Sequence, residues 1–565
     1  LFPFFWNTIS MTMDNEAVRL LGPFQSRLRA FAFGPELDEM GATLLRLMAS
    51  HRRRRVDLGD RMRLKALALL AEYLDAHGRS QEAAALLQPS VEELLDGGLE
   101  DGEDVKLWRQ RVWCCLAFAL AYLRAQRLSE AGAVLVRVRR FVEGKLVRED
   151  FPCHGTVALL RYYEGLWQRN LGKLDEAARH FDAALDQTRM RYEDKKLKYE
   201  GVDPERLRRE LIYSRVMTAR ILGFGQGGIA LARGRYLEAR GWMVGSSLIL
   251  SQLGQETWRK GLEVYARSAA VLVTELTVAS QARLREEGQR LGELAKWFAA
   301  RNQRNAFVAE AFSIVAEVRV RQCASGRVRH VDLSGLQRRI DGCLRGAYAD
   351  AGPLTGSAAL GLVECLLRGR AYARCEKELV RLEGAFEMGD EVLAEKIVLR
   401  AELWMETGRE EEARGVLQRL VSERVAHRGY RARAWGLLAL CEKRAGRTAW
   451  AERAIAAAQE ALGMVQDGFA RALVEELALE VERREEVVLA MPYQTMGSDE
   501  RWCDVDYNLE MARLNVVAAV HARHPDYGVE QLAAVMNRGQ SWLYALLGRH
   551  RDQEWVQRLM TSRSA

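Results

Sequence analysis

The chain has 565 residues, with 84 Lys and Arg against 77 Asp and Glu, a net charge of +7. Hydrophobic residues make up 48% and charged residues 28%, a balance that excludes extended disorder and permits nucleic-acid binding without arguing for it. Nine prolines, against about 28 at an ordinary usage of ~5%, point to a chain that is helical throughout, since proline destabilises a helix interior.

The first residues, LFPFFWNTISMTMDNE, are apolar but lack the basic flank and small-residue cleavage site of a secretory signal. Leu1, Met11 and Met13 are the candidate natural starts. No stretch approaches the ~20 apolar residues of a membrane span. The nine cysteines are scattered, and only Cys114 and Cys115 are close. That pattern offers neither a disulfide framework nor a zinc site, and the expectation is a cytoplasmic protein without membrane contact.

After an N-terminal helical or capping segment (1–55), the chain repeats itself. The clearest unit, Arg161 to Leu185, reads RYYEGLWQRNLGKLDEAARHFDAAL. It predicts two amphipathic helices joined by a turn at Gly172, with Ala177, Phe181 and Ala184 on one face of the second and Gly165 at a close contact in the first. The same spacing recurs upstream at Gly78, Ala83 and Leu87, and at Leu128, Ala131 and Leu135. Downstream it returns at Gly234, Tyr236, Ala239 and Met243; at Tyr372, Cys375 and Leu379; at Gly408, Ala413 and Leu417; and at Trp435, Leu438, Ala439, Gly446, Ala451 and Ile455. Residues 254–352 are helical by periodicity without a legible register.

These units resemble tetratricopeptide repeats, helix–turn–helix modules of ~34 residues. The resemblance implies an all-α fold, a TPR-like helical-repeat solenoid over residues 56–484, followed by a linker at 485–506 and a small helix-turn-helix domain at 507–565. Each repeat buries its apolar face against its neighbours, which leaves a long curved surface suited to a peptide or protein. In the register of Arg161–Leu185, Tyr162, Leu166 and Arg169 line the concave side, and alignment adds Glu402 and Lys443. A groove filled by the chain itself is the open alternative.

The last segment, GVEQLAAVMNRGQSWLYALLGRHRD, predicts a short helix around Leu532, Ala533 and Met536. A turn at Asn537, Arg538 and Gly539 leads to a second helix carrying Leu543, Leu546 and Leu547, with Ser541 as a candidate cap. With the long helix before it, this is similar to the Fis-type DNA-binding domain. The resemblance implies that Gln540, Ser541, Trp542, Tyr544 and Ala545 lie on or near the exposed face of a recognition helix. Gln540 would read adenine, and Arg538, Arg549 and Arg551 would contact phosphate. From Arg501 onward there are eight Arg, no Lys and seven acids, and the alternative is a terminal hairpin that caps the array with Trp542 packed inward.

Other clusters read as structure. GFGQGG (Gly223 to Gly228) has no Lys-Ser/Thr and no preceding strand, so Gly227 is expected at a tight helix contact rather than at a phosphate. His521 and His524 have no companion metal ligands. His51–Arg55 reads as a charged helix start or surface loop, Trp108 and Trp113 as core, and Glu410–Glu412 as an exposed helix face. No nucleophile–base arrangement is legible. The expectation is a non-enzymatic regulator of prokaryotic type, without cofactor or metal. The solenoid would receive a protein or peptide, and the helix-turn-helix would bind double-stranded DNA, with a homodimer matching paired half-sites. The alternative is a protein-interaction scaffold or adaptor without DNA binding.

Overall fold

A computed structural model of the protein describes residues 19–25, 35–52, 60–77, 79–96, 105–125, 127–149, 154–300, 302–346, 353–385, 390–422, 427–463, 465–489, 505–525, 527–536, 539–551 and 553–561. Among these residues every regular element is helical. Gly78, Arg53–Arg55 and the candidate starts Leu1, Met11 and Met13 lie outside them.

After α1 (Pro35–Arg52) the helices follow as hairpins: α2 (Asp60–Ala76) with α3 (Ser80–Asp96), α4 (Val105–Arg124) with α5 (Leu128–Glu149), and α6 (His154–Asn170) with α7 (Leu174–Tyr199). Next, α8 (Pro204–Arg220) runs through a π-helix (Ile221–Gln226) into α9 (Gly227–Ala232) and turns into α10 (Tyr236–Gln252). The middle holds α11 (Glu256–Val273), α12 (Gln281–Phe298), α13 (Gln303–Ser325) and α14 (Gln337–Gly346). Regular hairpins then resume with α15 (Pro353–Arg368) and α16 (Tyr372–Ala385), α17 (Asp390–Glu406) and α18 (Glu410–Ser422), and α19 (Arg428–Arg444) and α20 (Thr448–Leu462), before α21 (Gly468–Leu489). The fold is an all-α solenoid of helical hairpins.

Local chemistry accounts for the hairpins. Gly172 turns α6 into α7 at φ +74°, a conformation that costs other residues a Cβ clash, and Gly234, Gly408 and Gly446 turn their hairpins in the same way. Within the pair, Ala177, Phe181 and Ala184 are buried, and a Cβ on Gly165 would stand 2.5 Å from Phe181 Cε1, so the glycine admits the ring. Acids open α7 (Asp175, Glu176) and lysines close it (Lys196, Lys198), each favourable to the helix dipole. Asp203 caps α8 by accepting from the Arg206 N–H at 2.9 Å, with Pro204 at the first helical position.

The superhelix closes on itself. Tyr236 Oη meets His427 Nε2 at 2.8 Å, the Leu237 N–H donates to Gln466 Oε1 at 2.9 Å, and the Val328 N–H donates to Glu476 Oε2 at 2.7 Å. Near its start, α13 sets Arg304 against Asp75 and Ser80 of the α2–α3 turn. Further along the same helix, Arg319 donates to the Val271 carbonyl at 2.5 Å and lies over the Phe469 ring. Twelve of its 23 residues are buried, so α13 fills the space that an open superhelix would leave as a groove.

Two boundaries differ from expectation. α21 continues to Leu489, into the stretch read as a linker, because VERREEVVL holds good helix formers and the first breaker is Pro492. In the C-terminal unit, α22 (Val505–Arg523), α23 (Val529–Val535), α24 (Gln540–Arg549) and α25 (Glu554–Thr561) enclose their own core around Leu514, Val517, Leu532, Leu543, Leu547 and Val556. α24 begins at Gln540 with Gly539 in the cap position, which places Ser541 inside the first turn and corrects its reading as the cap.

Candidate functional site

The inner face between α6, the end of α8 and α11 gathers aromatic rings around arginines. Tyr162 packs against Tyr163 and Phe181, while Phe224 of the π-helix meets Trp258 and Tyr265 of α11 edge to face at 5.9 and 5.6 Å. Arg220, the last residue before the π-helix, spans the two groups. Its guanidinium carbon stands 4.3 Å from the Trp258 ring centroid and 5.6 Å from that of Tyr162, both within cation–π range. Among the described residues its guanidinium donates to the thioether of Met217 at 3.8 Å, and its Nε, like those of Arg329, Arg368 and Arg433, is buried without a hydrogen-bond partner.

The glycine run makes this arrangement possible. The Gly227 N–H bonds the Leu222 carbonyl, five residues back, and such one-turn π segments recur at functional sites. Arg169 donates to the Phe224 carbonyl at 2.8 Å. A Cβ on Gly228 would stand 2.3 Å from Arg169 Nη1, and one on Gly223 2.7 Å from a Leu262 methyl. GFGQGG is thus a close-packing device, with Gly227 against Met243.

Positive charge predominates here. Tyr265 feels Arg304, Arg124 and Arg169, and Tyr163 feels Arg220 and Arg124 as well as the Glu72 carboxylate. Burial raises both phenols, that of Tyr163 to about 12. Burial and the neighbouring Arg304 lower the Arg124 guanidinium to about 10, although Arg124 is paired with Asp75.

The residues expected to line the groove separate. Leu166 and Arg169 are half-buried on this face, but Tyr162 is 4% exposed and belongs to the core, its ring taken up by Phe181. Glu402 is 1% exposed and accepts both guanidinium nitrogens of Arg368 at 2.5 and 2.6 Å. Its expected place on an open surface is corrected, because closure of the superhelix buries it. It belongs to an inner ionic network in which Arg433 pairs with Glu364 at 2.6 Å and Arg329 bridges Glu406 and Glu480. Burial pushes the Glu402 carboxyl up, and Arg368, Arg433 and Arg329 more than reverse it, holding it below the usual range. Lys443 is half-buried on α19. Arg220, Phe224, Trp258 and Tyr265 escaped sequence reasoning. No spacing signal marks them: the 62 residues between the turns at Gly172 and Gly234 reflect the 26-residue α7 and the long run of helix from Pro204 to Ala232, and a one-residue π insertion leaves no trace in that spacing.

In the C-terminal unit Gln540, Ser541, Ala545, Arg549 and Arg551 are exposed. Trp542 and Tyr544 are partly buried against the unit's own core. Arg549 Nε pairs with Glu510 at 2.8 Å, and Arg538 lies outside the described residues. His521 stacks on Trp555 and His524 on Tyr527. Among the described residues no three His, Cys, Asp or Glu side chains form a metal-holding group, and no helix is long and apolar enough to cross a membrane. Burial pushes the thiols of Cys115, Cys343, Cys365, Cys375 and Cys441 up to about 12, which leaves them poor nucleophiles.

No family model and no curated protein matches the chain. Solved structures to which it is similar include a hetero-tetramer of the APC/C, Cut9-Hcn1, at 12% identity and TM-score 0.32 over 90% of this chain and 92% of that one. Another is yeast Tom70, at 14% identity and TM-score 0.30 over 84% of this chain and 98% of that one.

Proposed function

We propose that the protein is a non-enzymatic, cytoplasmic interaction scaffold whose solenoid holds a segment of a protein partner on the face between α6, α8 and α11. The observation that supports this is the contrast between the two halves of the inner surface. Around Glu402 the buried Arg368, Arg433 and Arg329 are paired with glutamates of the chain itself, whereas around Arg220 the half-buried rings of Phe224, Trp258 and Tyr265 gather beside a guanidinium held by rings and a thioether. Aromatic rings and arginines are the residue types that dominate protein-binding energetics. A photo-crosslinker at Leu166, compared with one at Arg208 on α8, tests the reading. Leu166 should capture a discrete partner in cells and Arg208 should not. Equal capture at both positions overturns it.

A second reading has one observation in its favour. Gln540 and Ser541 open α24 exposed, with Arg551 exposed just beyond it, the placement that a recognition helix gives its base- and phosphate-contacting residues. In this reading the unit binds double-stranded DNA, as a dimer on paired half-sites, and the solenoid carries the signal of a regulator. Genomic pull-down with the intact chain, followed by salt-titrated binding, should then yield discrete sites lost in Gln540→Ala/Arg551→Ala. No enrichment over background removes this reading and leaves the scaffold in place.

A further inference from the structure

We propose that the outward face of α10 is a self-docking surface, on which a second copy of this chain lays the same helix antiparallel about a two-fold axis. The proposal stands apart from both partner readings. α10 buries Tyr236, Ala239, Met243, Ser246 and Leu250 against the array. The opposite side carries Leu237, Gly241, Val244, Gly245 and Leu248 at helical spacing, and all five are exposed, Leu237 by 50%, Val244 by 42% and Leu248 by 62%. From Gly241 to Gln252 the helix holds no charged residue. A helix face turned to water ordinarily carries charge, as α7 does with Asp175, Arg179, Asp182 and Asp186. A helix apolar on both sides belongs in an interface.

The face complements itself. With the axis between Trp242 and Met243, Leu237 lies opposite Leu248 of the second copy and Gly241 opposite its Val244, so each branched side chain meets an apolar position. A Cβ on Gly241 or Gly245 would meet nothing within 4 Å, which leaves a shallow saddle for Val244 and lets the two backbones approach closely. Charge matches as well. Glu238, paired with Arg235 at 2.7 Å, flanks the start of the face. The exposed Arg215 of α8 donates to Gln252 at 3.4 Å and flanks its end, on the same side because Glu238 and Gln252 stand about four turns apart. Antiparallel pairing therefore brings each Glu238 towards the other copy's Arg215. One helix face is smaller than the ~800 Å² per partner of a standard interface, so a reversible dimer is expected, with a dissociation constant of about 10–100 µM. Such an isologous contact closes at two copies.

The test is sedimentation velocity of the full chain from about 1 to 200 µM, a range that brackets that constant. The weight-average mass should approach twice that of the monomer at the upper end, and Val244→Glu should hold it at the monomer throughout. Leu197→Glu, at an exposed leucine of α7, should leave dimerisation intact. The arrangement is read by cross-linking introduced cysteines with a short bismaleimide, against the background of the native cysteines in the wild type. Leu237→Cys mixed with Leu248→Cys should link. Leu237→Cys alone should not, because its two copies in an antiparallel pair lie about 16 Å apart along the axis. A monomeric mass at every concentration overturns the proposal, as does a dimer that a folded Val244→Glu variant leaves unchanged or one that links through Leu237→Cys alone. Linking of the mixed pair supports it even where Val244→Glu fails to fold, and its absence in a dimeric sample overturns it.

Discussion

The Tyr236 phenol and the His427 imidazole meet at 2.8 Å across 191 residues of chain, both buried, with the His427 ring stacked on Tyr430 at 3.9 Å. This contact joins the start of α10 to the start of α19 and fixes one turn of the superhelix on the next. Gly234 belongs to the same joint, since a Cβ there would come within 3.2 Å of the imidazole. Tyr236→Phe keeps the ring and removes the hydroxyl, leaving a buried imidazole nitrogen unpaired. A loss of about 1–3 kcal/mol in unfolding free energy is expected, measured by urea denaturation, with the α6–α11 peptide site unaffected. A change below about 0.5 kcal/mol would mean that the turns are held together elsewhere.

The same joint makes stability depend on pH in two directions. Burial, reinforced by Arg433, lowers His427 from 6.5 to about 3, so the unfolded chain takes up a proton that the fold refuses, and stability falls as pH drops from about 6.5 towards 3. Glu395 behaves oppositely. Burial raises it from 4.5 to about 8, aided by Glu364 and opposed by the Tyr430 hydroxyl, Ser357 and Arg433. Its proton is kept in the fold and shed by the unfolded chain, so the stability it contributes is full below about pH 4.5 and is lost as pH rises through about 8. Glu395→Gln should therefore flatten the decline in Tm on the alkaline side without altering the acid side, and His427→Asn should do the converse. Parallel Tm profiles for Glu395→Gln and wild type would refute the assignment.

Arg368 and Glu402 lie within a network that tolerates loss of neither partner. Breaking a buried pair leaves a bare charge in the interior, a cost of about 3–5 kcal/mol. Arg368→Met alone should destabilise by that order, whereas Arg368→Met/Glu402→Leu should recover part of it because no charge of this pair is stranded. A double mutant less stable than either single variant would show that Arg433 depends on Glu402 as well as on Glu364.

These ionic residues mark the limit of what the sequence discloses. Hairpin turns at Gly172, Gly234, Gly408 and Gly446 and the apolar faces after them are local, and spacing reveals them. Glu402 and Arg433 look like the solvated side of a helix, because charge on an amphipathic surface ordinarily faces water. What buries them is the summed curvature of many repeats, which brings α13 and α21 into the centre, and no window of sequence carries that sum. The face around Arg220 was only half legible: Leu166 and Arg169 follow from the repeat register, but the π-helix between Arg220 and Gly227 shifts the register by one residue. Trp258 and Tyr265 fall in the stretch where the repeats had no readable phase.

Glycines offer the sharpest check on that packing, because alanine acts with opposite sign according to what stands beyond the Cβ. Gly245 lies within α10 with nothing within 4 Å of a Cβ, so Gly245→Ala should stabilise by up to about 1 kcal/mol through helix propensity alone. Gly165 also lies within a helix, but there the Cβ would meet Phe181 Cε1 at 2.5 Å. Gly165→Ala should lose that gain and cost about 1–3 kcal/mol as the ring is forced aside. Gly468 is the most constrained of the three, since its Cβ would lie 2.2 Å from the Thr274 carbonyl oxygen, and backbone cannot swing away as a side chain can. Gly468→Ala should therefore cost at least as much as Gly165→Ala, and should loosen the start of α21 against the end of α11. Hydrogen exchange would read this as faster exchange at Phe469 and Ala470, whose N–H groups both donate to Asp467 at 3.0 Å. If Gly468→Ala were as stable as Gly245→Ala, α21 would not enter the centre of the superhelix, and the burial of Glu402 would need another cause.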